Sequence, residues 1–357
     1  MPEVQIIGGG PAAIAALAAR ENSGEDPETA VIFGGGFGGG SDFPGSDIFS
    51  NSAGSEMIPP GFQNSNLQTP NPVSLDAVAE YYRVLGRYFL EQNGIFPIQK
   101  WAGKIALSED GATVFDAAGD IISEARETII AIGSEQVPLL AAEKLILSGD
   151  FLKKGAPIPD ERVAIVGGSH SAFSALERLL RYGKNPGEII IVVRSVVKVF
   201  WESVAEAREN GENPDPKSIC TETGRVNRFD GIRGAAREAY LRLLKDFPRN
   251  IVSPNETNFY DFDAVIQAFG YFPREIPVFD ESGNEISFLK NAAGEYVTDR
   301  FGHLLLAENS KPVHHLYRLG LGSGQKIPNS DRVFPHFQSY AAAANNFFSF
   351  LTQNERR

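Results

Sequence analysis

Short apolar runs alternate with helical segments along this chain, and the first such pair lies at its beginning. The run Val-Gln-Ile-Ile at residues 4–7 leads into Gly8-Gly9-Gly10 and then into an alanine-rich segment at residues 14–20. This order predicts a strand, a tight turn and a helix. The turn has the form G-x-G-x-x-A, which predicts that a dinucleotide is bound at the helix N-terminus by Gly8, Gly10, Pro11, Ala12 and Ala13. The alternative is a glycine-rich turn of an α/β domain that binds nothing.

A second pair with the same pattern lies near the middle of the chain. The strand at residues 163–166 runs into Gly167, with Ser169 in the position of the second glycine, and a helix is predicted at residues 173–181. The predicted binding residues of this turn are Gly167, Ser169, His170, Ser171 and Ala172. Arg194 follows the next strand, where an arginine suits a 2′-phosphate and therefore NADPH over NADH. The alternative for Arg194 is an ordinary surface charge, and the alternative for His170 is a residue that caps the helix.

The first pair departs from the usual fingerprint after its second strand. That strand, at residues 30–33, is followed by Gly34-Gly35-Gly36 instead of the acid that holds a ribose hydroxyl. Three explanations stay open: backbone groups hold the ribose, an acid from elsewhere substitutes, or the ligand is bound weakly. Residues 34–61 are rich in Gly, Ser and Pro, and they predict either a loop wrapped over the cofactor or a flexible loop.

The remaining pattern supplies further elements. Residues 75–94 predict an amphipathic helix, and strands are predicted at residues 104–107, 112–116 and 120–123. Apolar strands that close on glycine are predicted within residues 127–134, 261–273 and 313–324, and a packing helix at residues 338–353. Four arginines between residues 225 and 237 could clamp a phosphate or carboxylate, but a solvated face is the favoured interpretation.

Composition narrows the class of protein. The chain has 357 residues, of which 42% are apolar, and its net charge is −12. An acidic surface argues against a general binder of nucleic acid or of anionic membranes. The single cysteine, Cys220, cannot form an internal disulfide, and no signal sequence or membrane span is evident, so a cytoplasmic location is predicted. No metal site is predicted, and the oligomeric state, including a homo-oligomer, stays open.

Two such turns in one chain indicate dinucleotide binding more strongly than a single turn does. Two dinucleotides, each at its own helix N-terminus, can bring their reactive rings together between two domains, as hydride transfer from a nicotinamide to a flavin requires. We therefore predict FAD and NADPH as cofactors. The predicted fold class is α/β, with two Rossmann-like dinucleotide-binding domains in a glutathione-reductase-like arrangement. Residues 1–155 and 276–357 are predicted to form the FAD domain, and residues 156–275 the inserted NAD(P)H domain.

The motifs resemble those of the two-dinucleotide-binding-domain flavoproteins, and in particular the class B flavin monooxygenases that N-hydroxylate amines such as lysine or ornithine. The resemblance rests on GGGPAA at residues 8–13, GGSHSA at 167–172, IIAIGSEQVP at 129–138, DAVIQAFGYFP at 263–273 and HLYRLGLGSG at 315–324. Phe269 replaces a threonine of the branch, and Leu321 stands where many relatives carry Asp. The resemblance adds Gly133, Gly270, Tyr271, Gly320 and Gly322 to the predicted cofactor contacts.

The resemblance also implies a reaction. In such enzymes NADPH reduces FAD, the reduced flavin forms a hydroperoxide with molecular oxygen, and a neutral nitrogen or sometimes sulfur of a small-molecule substrate attacks it. We therefore predict an oxidoreductase that is a monooxygenase acting on an amine, and we assign no catalytic residue, because this chemistry can proceed without a general base. His336 could line the flavin edge, although a plain surface or core histidine is the favoured interpretation.

Two other functions stay open. A reductase that passes electrons from NAD(P)H to a carrier needs no cysteine and is compatible with the chain. A degenerate flavoprotein that binds nucleotide for structure or regulation is compatible with the missing acid and with Leu321. A disulfide reductase needs a redox cysteine pair, and Cys220 alone cannot supply one within a single subunit.

Overall fold

The computed structural model describes residues 2–24, 27–40, 43–50, 57–59, 61–62, 73–159, 162–185, 188–324 and 337–354. The predicted loop at residues 34–61 is therefore covered in part, and His336 lies outside the described residues. The strands are β1 (Val4–Ile7), β2 (Thr29–Ile32), β3 (Ile95–Ile98), β4 (Lys104–Ser108), β5 (Gly111–Phe115), β6 (Ile121–Ala125), β7 (Glu127–Ile130), β8 (Ser134–Gln136), β9 (Leu145–Leu147), β10 (Val163–Val166), β11 (Ile189–Val192), β12 (Ile251–Val252), β13 (Ala264–Gln267), β14 (Tyr271–Pro273), β15 (Val278–Phe279), β16 (His303–Leu305) and β17 (Pro312–Arg318). The helices are α1 (Pro11–Asn22), α2 (Leu75–Leu90), α3 (Ser148–Phe151), α4 (His170–Arg181), α5 (Val204–Glu209), α6 (Gly234–Asp246) and α7 (Phe337–Asn354).

The first sheet has the order β16-β17-β7-β1-β2-β3, and only its β16–β17 pair is antiparallel. β1 lies between β2 and β7, with Val4 paired to both Thr29 and Glu127. Helix α1 packs against α7 and α2, and its side chains from Ala12 onward are buried almost throughout. Because most of them are alanines, the helix can approach the sheet and its neighbours closely. The predicted strand–turn–helix at the start of the chain is confirmed.

The second sheet is wholly parallel, in the order β12-β11-β10-β13-β9. Helices α4 and α6 pack on each other, and the rings of Phe173 and Tyr240 meet at 4.9 Å between centroids. Leu145–Leu147 pairs with β13 in this sheet, although it precedes the predicted start of the second domain. The predicted domain boundaries stay a prediction.

Two smaller sheets complete the described architecture. β4, β5 and β6 form, with β15, a four-stranded sheet whose buried residues join the core on one face of the first large sheet. The strands predicted at residues 104–107, 112–116 and 120–123 are the three long strands of this sheet. β8 and β14 form an antiparallel two-stranded ribbon, which carries the chain between the two large sheets in both directions.

Candidate functional site

The first turn, which we call the first elbow (residues 8–13), is shaped by close backbone contacts. Gly8 has a φ of +133°, and a Cβ at this position would overlap the carbonyl oxygen of Ala131 beyond the end of β7. Its N–H donates to the carbonyl of Ile32 at 2.8 Å, which ties the turn to β2. Only glycine fits this close approach at a φ of +133°, whereas the contact of Gly8 with a dinucleotide stays a prediction.

The N-terminus of α1 presents backbone donors to the space beside this elbow. Gly10 is the N-cap residue with an extended backbone, no side chain caps the helix, and Pro11 occupies its first turn. Within the described part of the chain, no acceptor is recorded for the N–H groups of Gly10 and Ala12. Ala13 is fully buried, as its packing role requires. This arrangement of free amides at the positive end of a helix suits an anionic diphosphate.

The end of β17 closes the elbow from the side. A Cβ on Gly320 would lie 2.7 Å from the Cβ of Ala12, and one on Gly322 would lie 2.7 Å from the Cβ of Pro273. Glycines at these positions therefore bring β17, α1 and β14 together. Gly133, by contrast, faces open space, since no described atom lies within 4 Å of a Cβ built on it.

The described part of the glycine-rich loop packs on the first elbow. The N–H of Gly38 donates to the carbonyl of Gly9 at 2.6 Å. A Cβ on Gly86 of α2 would lie 2.7 Å from the Phe37 ring, and one on Gly40 would lie 3.2 Å from Pro11. Residues 33–40 therefore wrap the turn on the side next to α2, and the rest of the predicted loop lies partly outside the described residues.

The second elbow (residues 167–172) repeats these contacts. Gly167 has a φ of +150°, and a Cβ there would lie 2.9 Å from the carbonyl oxygen of Ala268 and 3.3 Å from the Cβ of Ala172. Ser169 is the N-cap residue, but its side chain makes no capping hydrogen bond. The helix begins at His170, three residues before the predicted start at residue 173. His170 and Ser171 are polar, so the apolar pattern does not include them although their backbone is helical.

Arg194 lies near this elbow and is exposed. It follows the end of β11, and a Cβ on Gly168 would lie 3.6 Å from its neighbour Val193. Among the described residues, no ion pair of Arg194 is found. Its guanidinium is therefore available to a ligand that lies along the carboxyl ends of β10 and β11.

A cleft of about 260 Å³, including its open mouth, lies beside the second elbow. It is lined by Ile48, Phe49, Ser50, His170, Ser174, Glu177, Arg233, Gly234, Ala235 and Ala236. Residues 48–50 belong to the loop that follows β2, so this cleft lies where that loop meets the second elbow and the start of α6. Its far wall is the N-terminus of α6, where Arg233 is the N-cap residue and stacks 3.9 Å from the Phe200 ring centroid.

His170 is held in this cleft in its neutral form. Burial lowers the pKa of His170 to about 4, and the positive charge of Arg233 acts in the same direction, while a hydrogen bond to Phe49 opposes them. The Nε2 atom lies 3.3 Å from the Phe49 carbonyl oxygen, and the enclosed Nδ1 atom has no partner among the described residues. Burial also raises the pKa of the Glu177 carboxyl.

The ribbon between the sheets carries two predicted contacts and two glutamines that sequence reasoning missed. Tyr271 pairs with Gln136, and Gly270 lies against Leu139. The Gln136 amide donates to the carbonyls of Gln267 and Phe269, both at 2.9 Å. The fully buried Gln267 amide accepts from Leu139 at 2.8 Å and donates to Val137 at 2.7 Å. Such pairs are separated by about 130 residues, so no local pattern could have revealed them.

Two parallel sheets, each with a small-residue elbow at a bare helix N-terminus, define the fold of the two-dinucleotide-binding-domain flavoproteins. A scan against protein-family models finds no match. Among curated proteins, the chain is 33% identical over 182 residues to a CMP-5′-(3-aminopropyl)phosphonate hydroxylase from Streptomyces rubellomurinus. That match covers 45% of this chain and 41% of the relative, so the matched part spans less than half of the relative's length.

Solved structures match nearly the whole chain. A flavin-containing monooxygenase from Stenotrophomonas maltophilia is 16% identical with a TM-score of 0.68, covering 99% of this chain and 98% of its own. An ornithine N-hydroxylase from Kutzneria sp. 744, in complex with reduced FAD, NADP⁺ and L-ornithine, is 14% identical with a TM-score of 0.63 and covers 99% and 100%. A bacillithiol disulfide reductase from Bacillus cereus is 15% identical with a TM-score of 0.61 and covers 99% of each chain.

These comparisons confirm the predicted fold class and the predicted resemblance to two-domain flavoproteins. The neighbours and the curated relative are oxidoreductases, which supports the predicted enzyme class and the predicted pair of cofactors. None of the described helices is long and apolar enough to cross a membrane. The predicted contacts of individual residues with FAD and NADPH stay predictions.

Proposed function

We propose that this protein is an FAD- and NADPH-dependent monooxygenase that hydroxylates the nitrogen of a small-molecule amine. The observation that carries the proposal is the presence of two elbows with uncapped helix N-termini on two parallel sheets. The likeness in sequence to a hydroxylase and in fold to flavin monooxygenases supports the same reaction class.

The first elbow fits FAD. Its cradle accepts no side chain at Gly8, and among the described residues the amides of Gly10 and Ala12 have no acceptor, so they could donate to a diphosphate. The flavin, when bound, supplies the chemistry that activates molecular oxygen. The protein's own contribution is to fix the cofactor, to orient the substrate amine and to exclude water. Gly320 packs against Ala12 of the elbow, whereas Gly133 has open space beside it on the side where the flavin end would extend.

The second elbow fits NADPH. The first-turn amides of α4 would face the diphosphate of a bound NADPH, and the exposed Arg194 would suit its 2′-phosphate. His170 is neutral near pH 7 because of its lowered pKa, so it adds no positive charge there and acts as a hydrogen-bonding group. Its contact with Phe49 brings the second elbow against the loop that follows β2.

The comparisons also favour a substrate class. The curated relative is named for a substrate with a 3-aminopropyl group, and the structural neighbour from Kutzneria carries L-ornithine, whose side chain is also a 3-aminopropyl group. We therefore propose a primary amine at the end of a three-carbon chain. The substrate must be deprotonated to react, because only the neutral amine has a lone pair.

The second candidate is a reductase that passes electrons from NADPH to a carrier. It is favoured by the structural neighbours that are disulfide reductases. Cys220 is the only cysteine of the chain, so an electron acceptor of that kind would have to be supplied from outside.

One experiment separates the two. The FAD-loaded protein is supplied with NADPH and ¹⁸O₂, with and without 3-aminopropyl compounds, and products are analysed by mass spectrometry. The proposal expects oxygen uptake that rises with the amine and one ¹⁸O atom in a hydroxylamine product. NADPH oxidation at a rate that does not change with the amine, coupled to reduction of an added dye, would favour the carrier reductase. A protein that takes up no FAD would be the degenerate flavoprotein.

A further inference from the structure

Trp101 combines two features that rarely occur together. Its side chain is 70% exposed, although it is the largest apolar side chain on this edge of the first sheet. Its indole ring nevertheless contacts the backbone of Gly34 so closely that a Cβ on Gly34 would overlap the ring atoms Cδ2, Cε2 and Cγ. One side of the indole therefore rests on the main chain, while most of its surface is open to solvent.

The position of this contact is set by the sheet. Gly34 follows β2 and Trp101 follows β3, and these strands are parallel neighbours beside β1. Both residues thus lie at the carboxyl edge of the sheet, where the first elbow follows β1. Ligands of open α/β sheets bind at this edge. A Cβ on Gly9 of the elbow would lie 3.2 Å from Phe33, which shows how near the end of β2 comes to the elbow.

The contact also accounts for the missing acid. An Asp or Glu at position 34, directly after the second strand, needs a Cβ where the Trp101 ring lies, so an acid at this position and the indole exclude each other. A Cβ on Gly35 or on Gly36 would have no atom within 4 Å, so there is room for a ligand beside the ring. An exposed tryptophan at a ligand-binding edge offers a flat surface on which a purine can stack.

We propose that Trp101 is the platform on which the adenine of FAD stacks, and that it takes over the anchoring of the adenosine from the absent ribose-binding acid. The inference rests on the proposed binding of FAD at the first elbow. It assigns Gly34 a definite role, which is to leave space for the indole.

The test measures FAD affinity of apoprotein by flavin fluorescence and does not need activity. Replacing the aromatic residue of a base–aromatic stack by alanine weakens binding by about 5- to 150-fold. Trp101→Ala should raise the Kd for FAD by that factor, and Trp101→Phe should retain most of the affinity. Phe96→Ala is the matched control, since Phe96 is a 46% exposed aromatic residue of β3, the strand that Trp101 follows. It should leave the Kd unchanged.

A second pair of variants tests the exclusion of the acid. Gly34→Asp alone should lower FAD affinity, because its side chain displaces the indole. The double variant with Gly34→Asp and Trp101→Ala should bind FAD more tightly than the Trp101→Ala variant, since the acid then has space to reach the ribose. Folding is checked by circular dichroism for each variant.

The outcomes distinguish this inference from the proposed function. Wild-type protein that binds FAD, together with a Trp101→Ala variant of equal affinity, would overturn the stacking role and leave the FAD site standing. Equal losses in Trp101→Ala and Phe96→Ala would also overturn it, because the effect would then be structural. Wild-type protein with no affinity for FAD would remove both proposals.

Discussion

The loop that follows β2 is fixed to α4 by a buried ion pair, and breaking this pair should lower the free energy of unfolding measurably. Arg178 is buried, donates through Nη1 to the Asp47 carboxylate and through Nη2 to the carbonyl of Ala156 at 2.9 Å. Arg181 adds a longer bond of 3.0 Å to the same carboxylate. Removing Asp47 would leave the Arg178 guanidinium buried without its counter-charge.

The expected cost follows from these contacts. Deleting one partner of a buried pair costs about 3–5 kcal/mol, while the exposed Arg181 contact adds at most about 1 kcal/mol. Asp47→Ala should therefore lower the free energy of unfolding by about 3–5 kcal/mol, which corresponds to roughly 4–7 °C in Tm for a chain of 357 residues that unfolds as one unit. Adding Arg178→Met removes the stranded charge, and the double variant should lose only about 1 kcal/mol, mainly from the bond to Ala156.

Urea unfolding of the four proteins in this cycle, followed by circular dichroism, provides the measurement. Glu80→Ala is the control, because its ion pair with Arg83 is 3.1 Å long but exposed, and its loss should cost less than about 1 kcal/mol. If the double variant were as unstable as Asp47→Ala, the buried-charge argument would be wrong. The cost would then come from the loop itself.

Three further predictions concern the elbows. Arg194→Ala should raise the KM for NADPH by about 10- to 100-fold and leave the KM for NADH unchanged, since a charged hydrogen bond contributes about 1.5–3 kcal/mol. Steady-state assays with each nucleotide measure this. Equal effects on both nucleotides would refute the 2′-phosphate contact. Gly8→Ala should prevent folding because its methyl group would overlap the Ala131 carbonyl, whereas Gly35→Ala, which enters open space, should fold normally; soluble yield and circular dichroism check this. Because the folded-state pKa of His170 is lowered to about 4 and the unfolded value is near 6.5, its contribution to stability is present above pH 6.5 and is lost as pH falls toward 4. Replacing His170 by Asn should make the decline of stability in that window shallower, and an unchanged slope in urea titrations would contradict the assignment.

Local features of this protein were predictable from sequence, and long-range ones were not. Both elbows follow from glycine and alanine positions within about ten residues, so their strands and turns were placed correctly. The start of α4 was misplaced by three residues because His170 and Ser171 are polar, whereas helix formation there depends on the backbone. Helix α5 (Val204–Glu209) was missed because it is short and mostly polar.

The candidate site shows the same limit. The sequence revealed that an acid is missing after β2, but the reason lies in Trp101, 67 positions further along the chain from Gly34. The arginines at residues 225–233 were interpreted as a solvated face, yet Arg233 is buried against Phe200 and lines the cleft. Both contacts depend on how distant segments pack, and no residue pattern near either position encodes them.

The amides of Gln136 and Gln267 have a mechanical consequence. Their hydrogen bonds anchor one end of the β8–β14 ribbon to β13 and to the start of α3, where the Gly149 N–H donates to Gln136 at 3.1 Å. The opposite end is held by the bond from the Arg274 N–H to the Gly133 carbonyl, with open space beside Gly133. The glutamine end of the ribbon is therefore fixed by several side-chain bonds, and we expect any movement between the two large sheets to take place at Gly133, which has a φ of +73° and open space beside it.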